Sequence, residues 1–439
     1  MVKLILNNSE SQVEGLTIEQ HKGLKAVLTY SADPKSAYFT GGFVKRYSLI
    51  TSKGIFPTGL LTRVKGHLQA KCISFEVVDL RKVPKSIPDL FTLNLGKITP
   101  YKEQLSIAKV ANKYHRGIVS AVTGFGKSIA MALIVNELQV RTLIIVPNLE
   151  LKRQLTDSFK QYFGDLKNIT IENIDSGKLP KCTNYDCLII DEAHHSAATT
   201  YRKLNKTAWK SIYYRFHFTA TPFRSQSEEQ ILFESVAGLI IYEVDYKTAV
   251  VEGYIAPLEA YYIEVPKTKV RGQTWAQVYS ELVTNNEAKN KIIADLLLNL
   301  QEAGKSALCL VKELRQGENL RKLTDGFFAN GENEDTKHLI KMFNETKLKT
   351  LIGTVGVLGE GTDTRPCEFV IIAGLGKSKP QLMQNCGRGF RRFAGKDSCK
   401  IILIYDPSHK WTKAHFKEQI KIIEQEYGVV PVKLDLTTE

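Results

Sequence analysis

Residues Arg116–Ser128 have the sequence RGIVSAVTGFGKS, and this stretch decides the fold of the chain around it. An apolar run leads into a glycine-rich loop, which is followed directly by the helix-like run IAMALIVNEL. This order of strand, loop and helix is typical of a phosphate-binding loop, in which backbone N–H groups approach phosphates at a helix N-terminus. A glycine-rich turn that arises by chance is the alternative, but the flanking strand and helix favour the phosphate loop.

The loop supplies specific candidates for nucleotide and metal binding. Lys127 can reach the β- and γ-phosphates, and the Ser128 hydroxyl can bind Mg²⁺. The pattern GxxxxGK[ST] would place glycine at position 121, where this chain has Ala121. We expect the other nucleotide contacts of the loop from Thr123, Gly124, Phe125 and Gly126.

A second motif, CLIIDEAHH, begins at Cys187. Four apolar residues precede Asp191 and Glu192, so both carboxylates are expected at the carboxyl end of a strand, where ligands bind in open α/β sheets. Asp191 can hold Mg²⁺, and Glu192 can orient or deprotonate an attacking water. An acidic turn is the alternative for this motif alone. A metal-protease site is excluded because His194 and His195 are adjacent rather than four residues apart.

Outward from these motifs, short apolar runs alternate with helix-like segments, as in buried parallel strands joined by crossover helices. RGIVSAV, RTLIIVP, YDCLIID and YRFHFTA form a first block; SALCLVK, LKTLIGT, EFVIIAG and KIILIYD form a second. The preceding residues alternate as in a small α+β domain. The sequence therefore predicts an α/β chain with two tandem doubly wound parallel-sheet domains, 94–252 and 253–439, after a small α+β domain, 1–93.

Positive charge is concentrated near the start of the chain. The net charge is +14, and residues 35–85 contain ten Lys or Arg against two acids. Such a surplus favours contact with phosphates, and Lys45, Arg46, Arg63 and Lys65 are candidates for DNA contact. The aromatic side chains of AYFTGGFVKRYSLIT either stack on bases or fill a small core, and the core is favoured.

Other features exclude several classes of protein. The seven cysteines form no CxxC pair, so neither a zinc site nor a disulfide framework is expected. No apolar run reaches the length of a membrane span, and the first ten residues do not form a signal peptide. We expect a monomeric cytoplasmic protein, in the host cytoplasm if a phage encodes it.

At this point the chain resembles the superfamily-two helicases, because six motifs occur in the order of that family over about residues 98 to 408. The resemblance implies two tandem RecA-like domains, ATP as substrate and Mg²⁺ as cofactor. DEAH, starting at Asp191, resembles the second motif. Thr219, Ala220 and Thr221 resemble the third, which couples the ATP state to the grip on nucleic acid. TLIIVPN followed by LKRQ resembles the strand-holding motif and implies nucleic-acid contacts from Pro147, Asn148 and Arg153.

The later motifs lie in the second block. SALCLVKELRQGENL resembles the fourth motif. LIGTVGVLGEGTD resembles the fifth, which implies that Thr354 contacts nucleic acid and that Gly361 and Asp363 contact nucleotide. QNCGRGFRR resembles the sixth, in which Gln384, Arg388 and Arg391 act in catalysis.

The two arginines of the sixth motif are spaced for one helix face, and the resemblance makes them arginine fingers, worth roughly 10³–10⁵ in turnover. A solvated basic surface is the alternative for this run. Upstream of the phosphate loop, such helicases often carry a Tyr-Gln pair that binds adenine. Tyr101 fits this pair, but Lys102 stands where Gln is expected, and Gln104 is a nearby substitute.

SKPQLMQNCGRGFRR and the compact motor also resemble the UvsW-type recombination helicases of phages, which implies action on branched DNA. An RNA helicase or a restriction-type duplex translocase is the second hypothesis. A nucleotide-gated clamp that holds nucleic acid without moving is the third. The complete set of catalytic residues argues against the clamp, whereas RNA and DNA are not distinguished by the motifs.

Overall fold

The computed structural model describes residues 1–31, 46–174, 184–222, 227–359, 364, 366–374 and 376–435. Contacts between Cα atoms divide the chain into two compact units. The first comprises Met1–Ala121 and Gly126–Val244, and the second comprises Val122–Phe125 and Asp245–Glu439. The first unit thus contains both the N-terminal α+β part and the first of the two α/β blocks.

The N-terminal part forms a small mixed sheet with two helices. Its four-stranded sheet has the order β5-β2-β1-β6, with β6 parallel to β1 and the other pairs antiparallel; β3 and β4 form a separate antiparallel pair. Alternate residues of β1 are buried, as the period of a half-buried strand requires. The elements are β1 (Val2–Leu6), β2 (Glu10–Glu14), α1 (Ile18–Val27), β3 (Thr29–Ser31), β4 (Arg46–Ser48), β5 (Ile55–Pro57), α2 (Leu61–Ala70) and β6 (Phe75–Asp79).

The rest of the first unit is a six-stranded, entirely parallel sheet in the order β12-β7-β11-β10-β8-β9. The chain leaves β7 for β8 and returns to fill the gap with β10 and β11, so the loops after β7, β10 and β11 follow neighbouring strands at one sheet edge. The elements are α3 (Lys102–Tyr114), β7 (Arg116–Ala121), α4 (Lys127–Leu138), β8 (Thr142–Val146), α5 (Leu149–Phe163), β9 (Ile169–Asn173), β10 (Cys187–Ile190), α6 (Thr199–Lys206), β11 (Tyr214–Thr219), α7 (Ser227–Ala237) and β12 (Ile240–Val244).

The N-terminal part is bonded directly to this parallel-sheet part of the same unit. Arg63 of α2 forms a two-pronged ion pair with Glu234 of α7, with N···O distances of 2.5 and 3.0 Å. The Ser9 hydroxyl donates to the Asn205 carbonyl at 2.5 Å. An added side chain at Gly59 would collide with the carbonyl of Glu234, so the two parts are in close backbone contact.

The second unit contains a seven-stranded parallel sheet in the order β15-β16-β14-β17-β18-β13-β19. A short π-helical turn, Ser280–Thr284, follows α9. The elements are α8 (Tyr246–Val251), β13 (Leu258–Glu264), α9 (Trp275–Tyr279), α10 (Glu287–Glu302), β14 (Ala307–Val311), α11 (Leu314–Thr324), β15 (Phe328–Ala329), α12 (Thr336–Asn344), β16 (Thr350–Thr354), α13 (Val355–Gly359), β17 (Phe369–Ile372), α14 (Lys379–Gly387), β18 (Cys399–Tyr405), α15 (Lys410–Tyr427) and β19 (Val432–Lys433).

The predicted fold class is confirmed: the chain has two tandem RecA-like parallel-sheet domains and a small N-terminal α+β part. Each of the eight apolar runs singled out in the sequence contains a strand of one of the two large sheets. The bounds 1–93, 94–252 and 253–439 stay a prediction. Within the described part of the chain, no helix is both long enough and apolar enough to cross a lipid bilayer.

Candidate active site

The glycine-rich loop follows β7 and has the backbone that phosphate binding requires. Gly124 and Gly126 have φ angles of +89° and +87°, a region that side-chain-bearing residues rarely adopt. Gly126 is also the N-cap of α4, and a Cβ there would lie 2.8 Å from Nε2 of Gln104. Because the loop ends at a helix N-terminus, its N–H groups and the helix dipole favour a bound anion.

Lys127, the first residue of α4, forms an ion pair with Glu192. Its Nζ lies 2.9 Å from Oε1 of Glu192, and both side chains are largely buried. Glu192 stands two residues after β10 and has a φ of +43°, a left-handed conformation in which non-glycine residues are strained. The structure thus joins the two motifs that the sequence singled out separately.

Burial of Glu192 disfavours its charged form, but the positive charge of Lys127 and the contact with His194 outweigh burial. The pKa of Glu192 is therefore well below its ordinary value. Nδ1 of His194 lies 3.4 Å from Oε2 of Glu192. Glu192 is a carboxylate at neutral pH, which is the state that an acceptor for the attacking water needs. The sequence did not indicate that His194 would contact Glu192.

Asp191 and Ser128 offer the ligand chemistry that Mg²⁺ prefers. Asp191 is buried at the end of β10, and its Oδ1 accepts a hydrogen bond from the backbone N–H of Glu192 at 2.9 Å. A carboxylate and a hydroxyl are hard oxygen ligands, and Mg²⁺ in phosphate-transfer sites takes its remaining ligands from phosphates and water. Among the described residues, no group of three or more His, Cys, Asp or Glu could hold a metal. The donor set therefore fits a nucleotide-bound Mg²⁺ rather than an all-protein metal cage.

The side chain of Gln104 forms hydrogen bonds with the protein backbone. It is buried, its Oε1 accepts from the Tyr101 N–H at 2.8 Å, and its Nε2 donates to the Gly126 carbonyl at 3.2 Å. Gln104 thereby caps α3, whose N-cap is Tyr101, and braces the phosphate loop. Adenine contact by Tyr101 or Gln104 stays a prediction.

The third-motif residues follow β11, the strand between β7 and β10. Thr219 ends this strand, and its Oγ1 accepts a hydrogen bond from the Thr221 N–H at 3.1 Å. Both threonines are buried, and Ala220 between them is half-buried. The segment therefore starts beside the strands that carry the phosphate loop and Glu192, where a coupling role would require it.

The predicted nucleic-acid contacts of the strand-holding motif lie at the start of α5. Asn148 is the N-cap of this helix, and its side chain accepts from the Leu151 N–H at 2.9 Å. Arg153 on α5 pairs with Glu150 at 2.5 Å. Pro147 is half-buried just before Asn148. In the second unit, Thr354 ends β16.

The candidates in the basic N-terminal stretch differ from one another. Arg46 is exposed, and Lys65 is half-buried, whereas Arg63 is held by Glu234. Tyr47 is 41% exposed and stacks on Tyr30 with ring centroids 5.5 Å apart, so this aromatic side chain does not fill a core as we had expected. Lys45 and the fifth-motif residues Gly361 and Asp363 lie outside the described residues.

The sixth motif corrects one expectation. Gln384 lies on α14, but this helix ends at Gly387, so Arg388 and Arg391 do not share a helix face. Instead, the buried Lys396 donates to the carbonyls of Gly389 and Arg391, the latter at 2.9 Å. A side chain at Gly389 would collide with Cys399, which explains the glycine at this turn. Lys396, which the sequence did not indicate, holds the loop that carries both arginines.

Comparisons with known proteins find similar helicases and restriction-enzyme subunits. The model of the family "Type III restriction enzyme, res subunit" matches residues 96–184 and 170–224. Helicase 161L of Invertebrate iridescent virus 6 is 24% identical over 377 residues, which cover 73% of this chain and 79% of that protein. The ATP-dependent DNA helicase uvsW of Enterobacteria phage T4 is 22% identical, covering 64% of this chain and 63% of that protein.

The fold is also found among solved structures. A fragment of an HsdR subunit of a type I restriction enzyme from Vibrio vulnificus YJ016 has a TM-score of 0.59 at 17% identity, covering 90% of this chain and 76% of the fragment. The chain spans about half the length of four other curated helicases that it matches.

Fold, motifs and matches define an enzyme of the ATP-dependent helicase class, whose partner is nucleic acid. By these motifs and matches, the chain is similar to the superfamily-two helicases.

Proposed function

We propose that this helicase uses ATP with Mg²⁺ to translocate on DNA and to remodel branched DNA, by branch migration, fork regression or unwinding. The work would serve recombination, repair or replication. The observation that carries hydrolysis is the Lys127–Glu192 pair beside the phosphate loop. DNA as the track is supported by the relative that is a DNA helicase of a phage.

Selection of branched DNA rests on the basic N-terminal stretch. Ten cations lie between residues 35 and 85, and Arg46 is exposed beside the exposed, stacked Tyr47. Exposed cations bind phosphates, and an exposed aromatic ring can stack on an unpaired base, as found at a junction. Since this part is bonded to the parallel-sheet part of its unit through Arg63 and Glu234, we infer that it holds DNA rigidly relative to Lys127 and Glu192 of that unit.

The test compares ATPase activity on single-stranded DNA, duplex DNA, a four-way junction and RNA, together with junction dissociation. We expect multiple turnover stimulated by DNA, with the junction converted to products. Lys127→Ala should abolish hydrolysis and leave DNA binding largely intact, because Lys127 serves the phosphates of ATP. DNA binding without turnover by the wild-type chain would favour a nucleotide-gated clamp, and stimulation by RNA alone would favour an RNA helicase.

A duplex translocase is the second candidate, since the matching family model and the solved fragment both belong to restriction enzymes. Displacement of a triplex-forming strand measures translocation along intact duplex. Displacement without junction dissociation or unwinding would favour this candidate over the remodelling helicase.

A further inference from the structure

A cleft in the second unit lies at the carboxyl ends of two neighbouring strands. Ile372, the last residue of β17, and Asp406, the residue after β18, line its floor. Trp275 of α9, Lys289 of α10 and His415 of α15 line it as well. In open parallel sheets this edge is where ligands bind. None of the candidate residues discussed above belongs to its lining.

Aromatic rings lie in the lining of this cleft and next to it. The ring centroid of Trp275 lies 6.2 Å from that of Trp411 and 4.3 Å from that of His415. Tyr279 packs on Trp275 at 5.5 Å and is anchored because its hydroxyl donates to the Gly374 carbonyl at 2.9 Å. Both tryptophans are only half-buried, so part of each ring stays open to solvent. These rings form a supported aromatic surface.

Lysines surround this aromatic surface. The Nζ of Lys410 lies 5.7 Å from the ring centroid of Trp411, and that of Lys312 lies 5.3 Å from the ring centroid of Tyr279. Burial lowers the pKa of His415, and the positive charge of the exposed Lys377 lowers it further. Nδ1 of His415 is buried and has no hydrogen-bond partner among the described residues. Aromatic faces ringed by cations are the features with which proteins hold single-stranded nucleic acid.

The cleft also lies in line with a predicted nucleic-acid contact. Strands β16, β14, β17 and β18 are consecutive neighbours in the sheet. Thr354 ends β16, Lys312 follows β14, and the cleft lies beyond β17 and β18. At about 4.8 Å per strand, this row extends over roughly 14 Å. A strand of nucleic acid that contacts Thr354 would pass Lys312 and reach the two tryptophans.

We propose that Trp275 and Trp411 form a stacking site for bases of the nucleic-acid strand that the motor tracks. Lys312 and Lys410 bind the phosphates of that strand, and His415 faces a base edge. The inference rests on the proposed function. It adds a nucleic-acid contact that lies outside the helicase motifs. Stacking explains why aromatic rings stay half-exposed at this edge, since each base offers a ring face whatever its sequence.

Tryptophan fluorescence provides the test. The chain has three tryptophans, and Trp209 of the first unit is fully buried. We expect oligothymidine to quench the fluorescence of the wild-type chain. The double variant Trp275→Phe with Trp411→Phe, which retains only Trp209, should bind the oligonucleotide without quenching.

Affinity measurements separate stacking from packing. Trp411→Leu and Trp275→Leu should each weaken oligothymidine binding by roughly five- to 100-fold, whereas the Phe variants keep a ring and most of the affinity. Phe327→Leu is the matched control, because Phe327 is an exposed ring just before β15. It therefore lies at the amino end of a strand, whereas the cleft lies at the carboxyl ends. Thermal melting identifies any variant that fails to fold. Lys410→Gln tests the same site without changing a ring: this variant should bind oligothymidine more weakly, and its affinity should depend less on salt concentration than that of the wild type.

Wild-type affinity in both Leu variants, or an equal loss in Phe327→Leu, would overturn the inference and leave the proposed function standing. If the wild-type chain binds no oligonucleotide at all, the proposed function fails and the stacking site with it.

Discussion

The Lys127 amino group lies 2.9 Å from a carboxylate oxygen of Glu192, so the lysine that the sequence assigns to phosphate is paired with the predicted catalytic acid. A γ-phosphate entering this site must replace that carboxylate as the partner of Lys127 or share the lysine with it. The pair therefore links nucleotide binding to the release of Glu192 for contact with water.

Glu192→Gln should bind ATP more tightly and hydrolyse it far more slowly. The amide neither repels phosphate nor competes strongly for Lys127, and it cannot accept a proton. We expect a gain of about tenfold in affinity and a loss of about 10²–10⁴ in turnover. Equilibrium binding and single-turnover hydrolysis measure the two effects. Asp186→Asn is the control, because Asp186 carries a carboxylate just before β10 and pairs with Arg141. Weaker ATP binding by Glu192→Gln would contradict this account.

Arg391→Ala should bind ATP almost normally and lose roughly 10³ or more in turnover, as expected for an arginine finger. Arg392→Ala is the neighbouring control, since its guanidinium donates to the Gly253 carbonyl at 2.7 Å and is exposed. Nucleotide affinity and turnover at saturation distinguish binding from chemistry. Loss of affinity with unchanged turnover would argue against the finger.

Lys396→Met should reduce turnover without changing ATP affinity, because the loop of Arg388 and Arg391 would lose the amino group that fixes its carbonyls. A displacement of about 1 Å at a catalytic group costs on the order of 10²-fold. Lys400→Met, which removes a half-buried lysine of β18, is the control. Steady-state kinetics below the melting transition provide the measurement. An equal loss of turnover in Lys396→Met and Lys400→Met would mean that Lys396 does not position the arginines.

Arg63→Ala should destabilise the first unit by about 1–2 kcal/mol, since it leaves the largely buried Glu234 without the guanidinium that pairs with it. Lys65→Ala, two residues away on the same helix, should leave the free energy of unfolding nearly unchanged and weaken DNA binding instead. Urea unfolding and a salt series of DNA affinities measure the two properties. Equal stability of both variants would show that the Arg63–Glu234 pair contributes little.

Lys289 should give the second unit a pH-dependent stability. Burial lowers the pKa of Lys289 to about 8, although the nearby Asp406 carboxylate and Cys309 side chain act in the opposite direction. The folded state therefore holds this proton less tightly than the unfolded state, and stability rises with pH between about 8 and the ordinary lysine pKa near 10.5. The stability of wild type relative to Lys289→Met should rise by up to about 1.4 kcal/mol per pH unit in that window.

Lys291→Met, which removes an exposed lysine of α10, should show no such trend relative to wild type. Urea unfolding of the three proteins at pH 8 and pH 10 makes the comparison. A flat difference between wild type and Lys289→Met would mean that Lys289 keeps an ordinary pKa.

The sequence by itself determined the fold class and the chemistry of the motifs, because both depend on local patterns. The runs LIIV and ALCLV, within RTLIIVP and SALCLVK, are apolar throughout, as buried parallel strands require. The glycines beside Lys127 indicate a phosphate loop without knowledge of distant residues. The loops after β7 and β10 could also be assigned to one sheet edge on this basis.

The tertiary structure alone decided which partners these residues have. Arg63 and Glu234 are 171 positions apart, and only their packing shows that a presumed DNA contact is held within the protein. Gln104 was a candidate for adenine, but it contacts Gly126 across 22 positions. The spacing of Arg388 and Arg391 indicated a helix. Instead, Gly389 packs closely against Cys399 and Lys396 donates to the Arg391 carbonyl, and both contacts favour a tight turn. Each outcome depends on side chains that are distant in the chain, and their contacts are decided by packing that no local pattern encodes.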